Sequence, residues 1–429
     1  MKRMKKVLAI LCMACMLLSL LAGCGGSKTE PETPPPATST EKETNTPPAT
    51  EDVPTLKIAG LFNLSGAAGD TGVYCQNGCD LAVKHINENG GIKALGGAKL
   101  EMVYGDTMSD PSQAKAVAER VLSDDDVIAI SGFSASAYGL PILPVIEKSE
   151  IPTLTIGTSD AFTNQGYTYI FQHVQNGTQL GKTQVEFIKW LNSSQNAGIK
   201  TVGALFEDSE NGLNNLAGNK AAAEAAGIEL TWEGPYQVGL TDASALVASM
   251  KASGIDAVFC FANPADSKVI FNTMKSMDCN ILVIGGGGGM VLPTYSDELQ
   301  DSVVGIVSAC SNPYDVACVV NDDNLNWIAA DYEATYGTFM PEHAVGCYNN
   351  IMIIAKGLEA AGSAEGPALR DAIRALTDTT FSGELAFDET GANLNGRASI
   401  VQWAKDEDGQ YRTHAIFPED KATVDYTAP

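Results

Sequence analysis

From Leu56 onward, short apolar runs alternate with longer stretches whose apolar residues recur at helical spacing, the pattern of a parallel α/β sheet. A first strand is expected over residues 56–64, ending in Ser65-Gly66, and a helix over 71–87, stopped by Asn89-Gly90-Gly91. A strand over 100–104 leads to Asp106 and a well-marked helix, with Asp110 as N-cap, Pro111 at its first position and an apolar face of Ala114, Val117, Ala118, Val121 and Leu122. Two strands, 127–130 and 152–156, run straight into small hydroxyl-bearing loops, Ser134-Ala135-Ser136-Ala137 and Gly157-Thr158-Ser159. In an open sheet such loops lie at the carboxyl ends of the strands, where hydroxyls and backbone N–H groups converge on an anionic group. After a strand at 169–172 the alternation restarts: strands over 201–206, 228–232, 257–261 and 281–284, and helices over 178–191, 213–226, 243–252 and 266–277. Two comparable runs imply two lobes. Beyond Val307 come long helices over 322–336, 344–361 and 368–376, then short strands near 384–387 and 399–403, which can pack back on both lobes.

The amino terminus follows another logic. Lys2, Arg3, Lys5 and Lys6 precede an apolar run over 7–20, shorter than the ~20 residues a spanning helix needs, so residues 1–23 read as a signal peptide. Leu21-Ala22-Gly23-Cys24 resembles the lipobox of bacterial lipoproteins, in which the Cys is lipidated and becomes the mature N-terminus. Residues 24–54, rich in Pro, Thr and Glu, cannot bury enough surface to fold and read as a disordered tether. The balance of 52 acidic against 27 basic residues, a net charge of −25, argues against nucleic-acid binding and against a polybasic membrane patch. Cys75 and Cys79 fall on the apolar stripe of their helix and read as core; Cys310 and Cys318 flank a turn-rich loop and can close a disulfide outside the cytoplasm. No Cys/His spacing suggests a metal, and no cofactor is implied.

The run I-A-G-L-F-N-L-S-G, the helix stop N-E-N-G-G-I, the D-P-S-Q-A helix start, and the strand ends G-F-S-A-S and T-I-G-T-S-D resemble the solute-binding lipoproteins of branched-chain-amino-acid-type ABC transporters. Y-E-A-T-Y-G, C-Y-N-N and F-S-G-E-L-A-F-D-E-T-G extend the resemblance over residues 55–415. It implies a two-lobed type I periplasmic-binding-protein fold with three crossovers: an N-terminal lobe of 55–174 and 308–382, a C-terminal lobe of 175–307 and 383–418, and a tail over 419–429. It also implies a monomer that closes on one small molecule, delivers it to ABC permease subunits and is held at the membrane by a lipid on Cys24. The family's ligand-carboxylate contacts fall on Ser136, with Ala135 beside it, on the backbone of Gly157 and Thr158, and on Ser159. In the second lobe, Asn211 and Asn263 stand where the family places aromatic rings, and Gly287 where it places the acid that pairs with an α-ammonium. Either another acid substitutes, with Asp208, Glu210 and Asp266 as candidates, or the ligand lacks an α-ammonium, since a buried ammonium without counter-charge is costly.

Enzyme readings fare worse. The run Gly285–Gly289 is followed by Met290 and meets neither a dinucleotide nor a P-loop spacing; Gly132-Phe133-Ser134-Ala135-Ser136 lacks the second glycine of a nucleophile elbow. A sensor domain of the same fold remains the alternative to a transporter component.

Overall fold

The computed structural model describes residues 53–428 except 67, 125, 316–325 and 381–382. The expected leader, Cys24 and nearly all of the tether lie outside the described residues, as does Cys318, the expected partner of Cys310.

Two sheets organise the chain. The first contains β1 (Thr55–Phe62), β2 (Lys99–Asp106), β3 (Val127–Gly132), β4 (Thr153–Thr155) and β5 (Ile170–Gln172), paired in parallel in the order β2-β1-β3-β4-β5. The second begins with β6 (Thr201–Glu207), β7 (Glu229–Tyr236), β8 (Ala257–Phe261), β9 (Leu282–Gly286) and β10 (Val307–Cys310). After a separate antiparallel ribbon, β11 (Thr377–Thr380) with β12 (Gly383–Ala386), the second sheet is completed by β13 (Ser399–Lys405) and β14 (Tyr411–Phe417). Its order is β14-β13-β10-β9-β8-β6-β7, antiparallel only at β13 and β14.

Helices α1 (Gly69–Glu88), α2 (Pro111–Val121), α3 (Ser136–Gly139) and α4 (Leu143–Ser149) belong to the first sheet. Those of the second are α5 (Gly177–Ser194), α6 (Glu210–Ala226), α7 (Ser244–Ser253), α8 (Pro264–Ser276) and α9 (Pro293–Leu299). The chain then returns, since α10 (Asn326–Tyr336), α11 (Glu342–Ala361) and α12 (Gly366–Ala375) bury Tyr332, Ile351, Leu358 and Ile373 in one core with Ile58, Cys75, Cys79 and Ala82. The helical spacing of the cysteines thus has its plain consequence, a buried stripe. A Cβ on Gly78 would stand 2.2 Å from the Ala344 carbonyl oxygen, so α1 and α11 approach as closely as they do because that position has no side chain.

The crossings are tied to one another. Gln172 donates its N–H to Gly391 O (2.8 Å), Asn393 donates to Gln172 O (3.0 Å), and Gln175 Nε2 donates to Ser311 Oγ (2.8 Å). Glu342 at the start of α11 accepts the Ser311 N–H (2.9 Å), and burial pushes its carboxyl above the usual range. Two crossings lie later than the sequence suggests. Residues 308–310 belong to β10 in the second sheet, and Leu385 and Phe387 pack in the first core, because the ribbon folds back before the chain leaves for β13. The described part of the tail, 419–428, is docked: Tyr426 packs edge-on against Phe187, and the Thr427 N–H reaches Gln402 Oε1 at 3.0 Å.

Candidate functional site

In an open parallel sheet the ligand crevice lies beyond the carboxyl ends of the strands, at the point where successive connections depart to opposite faces. The order β2-β1-β3 puts that point between β1 and β3; the order β8-β6-β7 puts its counterpart between β6 and β8. The residues at those ends are Asn63, Leu64 and Ser65 with Ser134 to Tyr138 in the first lobe, and Glu207 and Asn263 in the second.

The first-lobe loops are built by hydrogen bonds from below. Asp106 accepts from Leu64 N (2.9 Å), Ser65 N (3.2 Å), Ser65 Oγ (2.6 Å) and Met108 N (2.7 Å). Burial raises its carboxyl, but those four donors outweigh burial and hold it below the usual range. Ser109 Oγ donates to Ser65 O (2.7 Å) and accepts from Ala68 N (3.1 Å), closing the same loop.

The two hydroxyl loops do lie side by side. Ser136, buried at the start of α3, accepts the Ser159 N–H on Oγ at 3.0 Å, and Ala135 precedes it in extended backbone. Gly157 donates its N–H to Thr155 Oγ1 (2.9 Å), and Gln172 Nε2 donates to the carbonyls of Gly157 (2.7 Å) and Ser159 (3.1 Å). Thr158 Oγ1 accepts from Asn211 Nδ2 (3.0 Å), and the buried Ser159 hydroxyl accepts from Ala161 N (3.2 Å) and reaches Glu210 Oε1 (3.3 Å). Ser136 and Ser159 therefore meet each other, and Thr158 and Ser159 meet the N-terminus of α6.

The second-lobe candidates divide. Asn263 caps α8: its Oδ1 accepts from Asp266 N (3.0 Å) and its Nδ2 donates to Asp266 Oδ2 (2.6 Å). Gly287, at the end of β9 beside Phe261 and Leu180, has φ +137°, a backbone conformation that disfavours any side chain, an acidic one included. Among the acids expected to replace it, Asp266 is withdrawn: it is 2% exposed and accepts from Gly239 N (3.0 Å) and Leu240 N (2.8 Å), fixing the loop after β7. Asp208 accepts from Gln237 Nε2 (2.8 Å), while Glu210 faces Ser159.

Sequence reasoning passed over three residues. Glu207 ends β6, accepts from Ser209 Oγ (2.8 Å) and from Asn263, and burial raises its carboxyl. Tyr138, whose hydroxyl meets Ser109, is raised by burial, with the charges of Glu207 and Asp110 adding to it. Tyr74 on α1 meets Thr294 on α9, its hydroxyl pushed up to about 12 by burial with Asp70 and Asp297 adding to it. The available signal was positional: a carboxylate closing the apolar run A-L-F-E.

A family model described as periplasmic binding protein matches residues 55–410. The chain belongs to the periplasmic binding protein family. A leucine-, isoleucine-, valine-, threonine- and alanine-binding protein of Pseudomonas aeruginosa is 26% identical over 357 residues, 82% of this chain and 91% of its own length. The branched-chain amino acid transporter substrate-binding protein LivJ of Streptococcus pneumoniae, solved in complex with isoleucine, matches with a TM-score of 0.72 at 19% identity, covering 84% of this chain and 99% of that one. A solute-binding protein of an ABC transporter from Rhodopseudomonas palustris, solved with 3,4-dihydroxybenzoic acid, matches with a TM-score of 0.72 at 22% identity, covering 84% and 96%. The two-lobed type I fold is thus that of its structural neighbours, and a periplasmic binding protein works outside the cytoplasm by binding rather than by catalysis. Among the described residues no helix is long and apolar enough to cross a membrane.

Proposed function

We propose that this periplasmic binding protein captures a small carboxylate-bearing solute, an amino acid or a related compound, between its two lobes and delivers it to ABC permease subunits. The observation that carries this reading is the junction of the strand-end loops, where the hydroxyls of Ser136 and Ser159 and the backbone around Gly157 and Thr158 gather beside Ala135. Hydroxyls and N–H groups at strand ends suit a carboxylate without a buried counter-ion. Asn211 closes on Thr158 from the second lobe, and Asn263 and Gly287 stand at the ends of the second-lobe strands. The relatives bear on both halves of the reading, since one is a binder of aliphatic amino acids and one was solved with an aromatic carboxylate.

The molecule divides functionally into a lobe around the first sheet and a lobe around the second, which close about the three bonded crossings. A lipid on Cys24 holds the monomer at the outer face of the membrane, and residues 25–54 supply reach. The test is titration calorimetry of the purified protein against the aliphatic amino acids and a series of nitrogen-free carboxylates. One-to-one binding of a member of either series is expected; no binding by any of them would refute the reading.

A further inference from the structure

Helix α6 carries Asn211, Asn215 and Asn219 about one turn apart on a single stripe. The outer two are engaged. Asn211 Nδ2 donates to Thr158 Oγ1 of the first lobe (3.0 Å), and Asn219 Nδ2 donates to Gly181 O (3.1 Å) and Gln184 Oε1 (2.9 Å) on α5. Gln184 in turn donates from Nε2 to Ile284 O of β9 (2.7 Å). The middle residue differs: Asn215 is 1% exposed, and among the described residues its Nδ2 meets no acceptor. A buried donor left unpaired is destabilising, whereas a leucine of similar volume would carry no such penalty. The amide lies at the carboxyl ends of two neighbouring strands, where the ligand of an open sheet is held. A Cβ on Gly286, the last residue of β9, would stand 3.1 Å from Asn215 Oδ1, 3.2 Å from its Nδ2 and 3.2 Å from the ring of Phe261, which ends β8. A side chain at 286 would therefore crowd the amide, and the glycine keeps it clear. Next along the chain, a Cβ on Gly287 would meet Phe261 at 3.8 Å and Leu180 at 3.9 Å, both ordinary van der Waals distances.

We infer that Asn215 donates to an oxygen on the part of the solute that enters the second lobe, so that the ligand carries a hydroxyl, carbonyl or carboxamide there in addition to its carboxylate. This rests on the reading of the interlobe cleft as the solute site, and narrows the solutes that fit it. Phe261 and Leu180 beside the amide suit the carbon skeleton, while the free N–H suits the oxygen. An aliphatic isostere would seal the amide from water with nothing to accept from it, which is how a site with a buried donor rejects the analogue lacking its partner. Asn215 is a specificity residue: it reads the solute's tail, away from the carboxylate.

The experiment titrates the protein and Asn215→Leu with carboxylates in isosteric pairs: threonine with valine, asparagine with leucine, and 4-hydroxybenzoate with 4-methylbenzoate. In the pair that binds, the oxygen-bearing member is expected to bind the wild type about tenfold more tightly or better, and Asn215→Leu to erase or invert that preference. The melting temperature of the unliganded variant is recorded alongside. It is expected to hold or rise, because the substitution removes an unpaired buried amide; a fall with the preference unchanged would mark a purely structural amide and overturn the assignment. Should Asn215→Leu fail to fold, Asn215→Ala removes the same donor and is expected to lose the preference as well. Equal binding within the pairs by the wild type, tighter binding of the aliphatic members, or a preference that survives the loss of the amide would overturn the assignment and leave solute capture standing. Failure of every compound to bind would overturn both.

Discussion

Acidification should destabilise this protein through two histidines that lie behind the hydroxyl loops. His173, at the first crossing, is 1% exposed, and neither ring nitrogen makes a hydrogen bond of normal geometry; the Gly346 carbonyl and the Asn350 side chain are its polar neighbours. His343 on α11 lies against the backbone of Ser134. Burial lowers both from 6.5 to about 4. A depressed histidine is neutral in the folded chain while the unfolded chain takes up a proton. Its contribution is therefore complete above pH 6.5 and is lost as pH falls toward 4. At about 1.4 kcal/mol per pH unit, each histidine withdraws about 2 kcal/mol by pH 5 and about 3 kcal/mol below pH 4. His414 acts in the opposite sense, because Asp315 and Asp406 raise it against its own burial, so total stability alone does not isolate the effect. The informative quantity is the difference between wild type and His343→Gln, measured by urea unfolding at pH 8 and at pH 5. That difference is expected to shrink by about 2 kcal/mol at pH 5, because only the wild type carries the titrating ring. A constant difference would refute the buried neutral histidine.

Two further expectations concern the scaffold. Gly78→Ala should destabilise the protein even though an exposed helical glycine gains about 1 kcal/mol from that change, because the new Cβ would stand 2.2 Å from Ala344 O; a raised melting temperature would show that α1 and α11 can separate cheaply. Glu342→Gln keeps an acceptor for the Ser311 N–H but removes a buried charge. A carboxyl raised on folding stabilises at low pH and loses that contribution as pH rises, so the variant should gain on the wild type between pH 5 and pH 8, read from parallel urea titrations.

Most of the architecture was legible because each element has a local cause. Asp110 and Pro111 start α2 where their chemistry requires, the Asp110 side chain accepting from Ser112 N at 2.9 Å. The cysteines of α1 fall where helical spacing puts them. Less legible was where the chain changes lobes, because that depends on long-range pairing: β10 reads as the start of a return yet is held by β9 and β13. β14 had a signal, the Asp408-Gly409 turn between β13 and residues 411–417, with Gly409 at φ +82°. The junction of the first-lobe hydroxyl loops was legible because its residues lie on consecutive strand ends. The roles of the second-lobe acids were not: Asp208, Glu210 and Asp266 look alike in sequence, and only the folded loops show that Asp266 is tied down and that Glu207 stands at the divergence of β6 and β8.

The central claim is that the paired hydroxyl loops hold the solute's carboxylate. Calorimetry of whichever amino acid or carboxylate binds the wild type, repeated with Ser136→Ala combined with Ser159→Ala, tests it directly. Each lost hydroxyl contact to a charged oxygen is worth about 1.5–3 kcal/mol, so the double variant should bind at least about a hundredfold more weakly. Affinity within about twofold of the wild type would contradict the account.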